Sequence, residues 1–408
     1  MNVFVARQPI FDRRRRTYAY ELLFRSNAGS SEYDGDNADH ASLRVLDASL
    51  SVLGLETLTG GKRAFINFTR DTLVNGYASI LPKNSVVVEI LETVEPDDEV
   101  LEVCRTLKDT GHLLALDDFV LGSSYEEFLE LVDIVKVDFA QNTCDDRARL
   151  VDRLGPRGIK LLAEKVETPD EFAHALGAGY HYFQGNFFEK AVVLSGKDVP
   201  ASNLSLLNLL REINQPDADF RRIEAVIKRE VALTYKLLSY MNRAAFAFRR
   251  QVQTLQQALM MLGEIGVKKW VSMVALTAMG VDKPFELVVN SVVRAKFCES
   301  VALRIGFDER AHEAFLMGLL SLIDTLLGRP LPELLGALPI TEDVRHALLG
   351  EANELSKVYW LVLAYERGEW DDVTAFAAAL GLSETVIPDI YLHAIEWGNS
   401  TVAMEGSS

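Results

Sequence analysis

The sequence is poor in cysteine, positive charge, histidine and long apolar runs, and each shortage excludes something. Its three cysteines, Cys104, Cys144 and Cys298, stand alone with no CxxC spacing. That leaves no disulfide framework and suits a reducing compartment. Lys and Arg total 42 against 59 Asp and Glu, a formal net charge of −17. The balance disfavours nonspecific attraction to a nucleic-acid polymer or an anionic membrane surface. A small anionic ligand stays open, because local charge or a metal can override the total. The longest apolar segment, Trp270 to Val281, is too short to span a bilayer. Arg7 and Gln8 interrupt any leader-like run at the start. The expectation is a cytoplasmic protein with neither a nucleic-acid polymer nor a membrane as partner.

What is present is length and an ordinary apolar content. At 408 residues and 49% apolar, the chain is too long for one core and implies two folded domains. The first half is organised around Leu114-Ala115-Leu116-Asp117-Asp118-Phe119, an apolar run ending in two adjacent carboxylates. Such neighbours repel, and each costs desolvation at the end of a buried strand. They are tolerated on an open loop or around a divalent cation.

The elements before and after follow one pattern. Val3 to Ala6 and Thr17 to Phe24 read as an antiparallel pair, since the basic break Asp12 to Arg16 leaves no room for a helix. Arg13 to Arg16 read as a solvated hairpin tip. Asn27 to His40 is a polar loop without the EF-hand spacing. Strands are expected at Ala64–Phe68, Val86–Leu91, Leu113–Phe119, Ile134–Phe139, Ile159–Ala163 and Tyr180–Phe188. Helices are expected at Ala41–Leu53, Asp97–Thr110, Ser123–Val132, Asp145–Leu154 and Pro169–Leu176. After the opening pair, strands and helices alternate as in a parallel (β/α)8-like barrel.

Placement carries the chemistry. Glu21, Asn67, Glu89, Asp117, Asp118, Lys136, Asp138, Glu164 and Gln184 lie in or at the end of seven different strands. In a parallel barrel those ends converge on one mouth. Lys136 and Asp138 are two apart and face the same way. Singly, each could be a helix cap or a solvated loop residue. Together they form a set of hard oxygen ligands without Cys or His, which points to Mg²⁺, Mn²⁺ or Ca²⁺ rather than zinc.

Gln8-Pro9-Ile10, Tyr20-Glu21-Leu22-Leu23-Phe24-Arg25, Asn67, Glu89-Ile90-Leu91-Glu92, Asp117-Asp118-Phe119, Lys136-Val137-Asp138, Ala163-Glu164-Lys165-Val166-Glu167-Thr168 and Gln184-Gly185 occur in this order. The order resembles the EAL domain, whose members hydrolyse the bacterial second messenger cyclic di-GMP to linear pGpG on a barrel with a divalent-metal site. The resemblance covers 1–197 and implies Mg²⁺ or Mn²⁺. It implies Glu21, Asn67, Glu89 and Asp117 as ligands of a first metal, with Asp118 and Asp138 around a second. Lys136 and Glu164 would position or activate the attacking water, with Glu92 and Glu167 as supporting acids. Gln8, Arg25 and Gln184 would contact the substrate. Three departures stand out: Leu22 where the family signature has alanine, and Val120 and Lys165 where it has glycine. They are familiar from the divergent EAL–HDOD proteins, the YuxH-like group, which the whole chain resembles.

Ser195 to Asn203 reads as a connector, and from Leu204 the apolar spacing is helical throughout. This second domain, 203–404, resembles the all-helical HDOD domain, which has the fold of the HD phosphohydrolases without their metal-binding His-Asp pair. No His-Asp dipeptide occurs in the chain, and Ser321 and Leu322 stand at the aligned positions. The resemblance therefore implies a non-catalytic module that meets a protein partner, and it allows a homodimer. Trp360 to Trp370 is an aromatic-rich tail for which core packing is the expectation. Two functions stay open: a metal-dependent cyclic di-GMP phosphodiesterase, and a regulator acting by cyclic di-GMP binding or protein contacts.

Overall fold

Strands β1 (Phe4–Asp12) and β2 (Thr17–Arg25) form an antiparallel hairpin in which Gln8 faces Glu21. Its tip is held by Asp12, whose Oδ1 accepts from the Arg14 and Arg16 amides at 2.8 and 2.9 Å. Arg16 closes the turn with an ion pair to the same carboxylate at 2.7 Å. Arg13 donates to the Tyr180 and Leu176 carbonyls. The basic run is thus hairpin-tip chemistry. The computed structural model describes residues 4–25, 54–120, 124–189, 201–215, 218, 220–229, 231–242, 252–280 and 283–402. The expected loop Asn27–His40, the helix Ala41–Leu53 and residues 195–200 of the connector lie outside them.

Six parallel strands follow: β3 (Arg63–Phe68), β4 (Val86–Ile90), β5 (Leu113–Leu116), β6 (Ile134–Asp138), β7 (Lys160–Glu164) and β8 (Tyr182–Phe183). Each pairs with the next, and β8 pairs back antiparallel to β1, so the sheet is a closed barrel. Thr69, Asp97, Thr143 and Thr168 cap the helices that follow β3, β4, β6 and β7, each accepting a backbone N–H with its side chain. The helix expected at Ser123–Val132 is a 3₁₀ segment, Ser124–Glu130.

Two strands are shorter than their apolar runs. β5 stops at Leu116, because Asp118 turns the chain with φ +40° and donates its N–H to the Asp117 side chain at 3.1 Å. β8 is only two residues long. At Gly185 the chain, with φ +136°, passes so close to Val166 that a Cβ would lie 2.3 Å from its carbonyl oxygen. The remaining aromatics pack beside the closure, Phe187 edge-on to Phe11 and stacked on Phe172.

Inside the barrel, one apolar residue from each strand forms a layer: Ile10, Ala19, Phe65, Val87, Ala115, Ile134, Leu162 and Tyr182. All eight are buried, so water is excluded below the mouth.

The described residues of the second half contain helices and no strand. The connector's last residues, Ala201–Asn203, are already helical, within Ala201–Ile213. Gly318 lets helix Ala311–Leu320 meet helix Phe285–Arg304 at backbone contact, since a Cβ there would lie 2.6 Å from the Ala295 Cα. By its contacts the chain forms two compact units, Met1–Lys190 with Leu361–Glu396, and Ala191–Trp360 with Trp397–Ser408. In the first unit Tyr365 is fully buried, Trp370 is edge-on to Phe4 of β1, and Gly368 lies against Leu23 of β2. From Leu361 onward the aromatic tail belongs to the barrel's unit, with Tyr365 in its core and Trp370 half-buried against Phe4, whereas Trp360 falls in the helical unit.

In the helical unit the His312 ring is pushed down to a pKa of about 4, first by burial and then by Lys269 and Lys268. Its Nδ1 is buried without a hydrogen-bond partner. The folded value lies below the unfolded one, so this neutral ring stabilises the fold above pH 6.5 and the contribution is lost as pH falls toward 4. The loss is on the order of 2–3 kcal/mol. Denaturant titrations at pH 7 and 4.5 should show a smaller drop for His312→Gln than for the native chain; equal drops would rule out this role.

Candidate active site at the barrel mouth

One residue up each strand from the apolar layer, on the same face, stands a polar one. Moving two positions from that layer gives Gln8, Glu21, Asn67, Glu89, Asp117, Lys136, Glu164 and Gln184. β1 runs the opposite way, so its step is backward, from Ile10 to Gln8. Asp117 and Gln184 come just after their strands end. The eight form a ring directly above the apolar floor.

Lys136 is the hub of this ring. Its ammonium contacts Glu164 Oε1 at 2.8 Å, Asp117 Oδ1 at 3.0 Å and Glu21 Oε2 at 3.5 Å, and it donates to Glu89 Oε1. Lys136 is 1% exposed and Glu89 is 0% exposed. Gln184 Nε2 donates to Glu21 Oε2 at 2.7 Å and to Gln8 Oε1 at 3.0 Å. Asn67 Nδ2 donates to Glu21 Oε1 at 3.3 Å.

The electrostatics are those of a site short of positive charge. Four carboxylates share one ammonium. Burial raises the Glu89 carboxyl far above its ordinary range despite Lys136. Burial likewise lifts Glu164 to about 8. Burial alone would push the Lys136 ammonium down, but Glu164, Glu21, Glu89 and Asp117 outweigh it and hold the group charged. Four oxygens at the mouth, Asn67 Oδ1, Glu89 Oε2, Asp118 Oδ1 and Gln184 Oε1, are buried with no hydrogen-bond partner. Unsatisfied buried acceptors are costly, and a divalent cation satisfies them. Asp117, Asp118 and Glu164 offer carboxylate oxygens within 4.8 Å of one another. The donor set fits a hard, oxygen-loving ion.

The other sequence-derived residues lie outside the ring. Asp138, one step beyond Lys136 on β6, accepts the Ala140 and Gln141 amides at Oδ1 and pairs with Lys165 at Oδ2. Glu167 is half-buried past the end of β7, and its N–H donates to the Glu171 carboxylate at 2.7 Å. Arg25, at the end of β2, points to the tail segment. Its Nη1 donates to the Trp370 carbonyl at 3.1 Å and to Thr374 Oγ1 at 3.3 Å, with Glu384 Oε2 at 3.9 Å. Gln8 bridges both settings, since its Nε2 also donates to the Arg367 carbonyl at 3.2 Å. Sequence reasoning missed these tail partners; the aromatic-rich run Trp360–Trp370 was the only signal of them. In the helical unit, Ser321 Oγ donates to the Gly318 carbonyl at 2.7 Å and accepts from Arg294 at 2.9 Å. Leu322 is buried in the core.

Family models match parts of both halves of the chain. The EAL domain model matches residues 40–191 and the HDOD domain model residues 199–330. The uncharacterized protein YuxH of Bacillus subtilis is 34% identical over 405 residues, 97% of this chain and 98% of that protein. The cyclic di-GMP phosphodiesterase CdgJ of Vibrio cholerae is 34% identical over 396 residues, 97% of this chain and 92% of that protein. Among solved structures, a manganese and cyclic di-GMP complex of Klebsiella pneumoniae BlrP1 is 24% identical, covers 46% of this chain and 55% of that one, and has a TM-score of 0.39.

Removing the Lys136 ammonium leaves four acids uncompensated in a buried ring. Breaking a buried pair in this way costs about 3–5 kcal/mol. Lys136→Met should therefore melt well below the native chain, and added Mn²⁺ should raise its melting temperature more than that of the native chain. Equal shifts on Mn²⁺ addition would mean that the cation does not enter this ring.

Proposed function

The chain belongs to the family of proteins that join an EAL domain to an HDOD domain, and from that premise we propose that it is a cyclic di-GMP signalling protein whose barrel hydrolyses this messenger to linear pGpG. We take 1–197 as its EAL domain and 203–404 as its HDOD domain. The observation that carries the reading is the polar ring, with its unpartnered Asn67 and Glu89 oxygens above a dry apolar floor. CdgJ, alike over nearly the full length, carries the same activity in its name.

Glu21, Asn67, Glu89 and Asp117 would hold one Mg²⁺ or Mn²⁺, with Asp118 and Asp138 bordering a second position. The ion supplies Lewis-acid stabilisation of the charge that develops on a phosphodiester. The chain's own groups do the rest. Lys136 keeps a fixed positive charge among the acids, where desolvation strengthens its pull on a phosphate. Glu164, paired with the Lys136 ammonium at 2.8 Å, would take the proton of the attacking water at a carboxylate oxygen once the added cation favours its ionised form. Glu167 supports it as a neighbouring acid. Gln8 and Gln184 offer amides to the substrate, and Arg25 a planar donor fork for phosphate.

A second reading has one observation in its favour. Arg25 and Gln8 donate to the tail segment Leu361–Glu396, which suits a regulator that binds cyclic di-GMP or a protein partner without turnover. In either reading the HDOD half is a protein-contact module, with a homodimer among the arrangements it allows. Among the described residues no single helix is long and apolar enough to cross a membrane, and we assign the protein to the cytoplasm.

Incubating the full chain with Mn²⁺ or Mg²⁺ and cyclic di-GMP should yield the linear dinucleotide by chromatography. Glu21→Ala should lower turnover at least about 100-fold, since losing even an outer partner of a metal site costs 10–100-fold. Lys136→Ala should lower turnover without weakening metal affinity. Undiminished turnover in Glu21→Ala would reject these roles. Saturable binding without product would favour the regulator.

A further inference from the structure

Lys165 follows directly on β7 and adopts φ +53°, the left-handed region that favours glycine. A side-chain-bearing residue persists there only when its surroundings determine the conformation. Here its ammonium pairs with Asp138 Oδ2. The Asp138 side chain is 2% exposed, and its Oδ1 already accepts the Ala140 and Gln141 amides at 2.6 and 3.1 Å. Both oxygens of this acid are thus engaged by the chain itself. The same ammonium acts electrostatically on Asp118 and Glu164. The charge that a second divalent ion would bring between Asp118 and Asp138 is in large part already there, on a side chain.

We propose that Lys165 is a tethered cation that takes the place of a second divalent ion, so that the barrel mouth loads one Mg²⁺ or Mn²⁺. The inference rests on the metal reading of the polar ring and specifies its stoichiometry. An ammonium offers positive charge and three hydrogen-bond donors but no open coordination position. It can hold a phosphate oxygen, yet it cannot loosen a water proton as a metal does. Lys165 is accordingly a positioning residue for the substrate phosphate and the lock on Asp138.

Calorimetric titration of the full chain with Mn²⁺ tests this directly. The native chain should take up one ion. Lys165→Gly frees Asp138 and relieves the left-handed backbone, and it should take up two. Lys165→Met removes the charge while keeping the side-chain bulk and should also take up two, whereas Lys165→Arg should stay at one. Electron paramagnetic resonance should show an exchange-coupled ion pair in the glycine and methionine variants only. Two ions in the native chain, or one in both Lys165→Gly and Lys165→Met, would overturn the proposal. No Mn²⁺ uptake by any of them would instead bring down the metal reading itself, and this inference with it.

Discussion

The barrel mouth depends on one ammonium surrounded by four carboxylates. Lys136 is the cation that Glu21, Glu89, Asp117 and Glu164 share, while Gln184 and Asn67 add hydrogen bonds to Glu21. Desolvation opposes every charge in that ring, and only mutual attraction offsets it. The balance is incomplete, so buried oxygens remain unsatisfied. A site built in this way has a standing affinity for added positive charge. The apolar layer beneath maintains that affinity by keeping solvent from screening it. Floor and ring are one construction, because each strand contributes the two residues in immediate succession on its inner face.

That construction explains what the sequence made legible. The period of two along each strand and the abrupt change from apolar to polar at its end are local signals. Seven strand ends carrying such residues could be read without coordinates, and so could the closed barrel and the helical second half. β8 was read too long because its stop lies in the approach of Gly185 to Val166, a contact between separate segments. The left-handed turn at Asp118 shortened β5 in the same hidden way. Arg25 stands two positions beyond Leu23 on a strand whose inner face leads to the mouth, yet its partners come from residues more than three hundred positions away. Periodicity carries no information at that range.

The two halves differ in how they treat polar groups. The barrel gathers unpaired oxygens at one mouth, whereas the unpaired buried atoms described in the helical unit, Asn214 Oδ1, His312 Nδ1 and Arg345 Nε, are scattered along the chain. Ser321 bonds to Gly318 and Arg294, and Leu322 packs in the core, at positions where a related fold would carry metal ligands.

The tail segment Leu361–Glu396 belongs by its contacts to the same compact unit as the barrel. The order of modules along the chain is therefore not the order of folded bodies. A cut at the connector would separate two stretches of sequence but no two complete objects: the first would lose the cover over Phe4, Leu23 and Arg25, and the second would expose Tyr365 and Trp370. Such a chain is poorly suited to exchange of its parts as cassettes, because a recombined barrel would arrive without its own last piece. The barrel's unit is also finished only after Ala191–Trp360 has been made, because its last segment, Leu361–Glu396, follows that stretch in the chain.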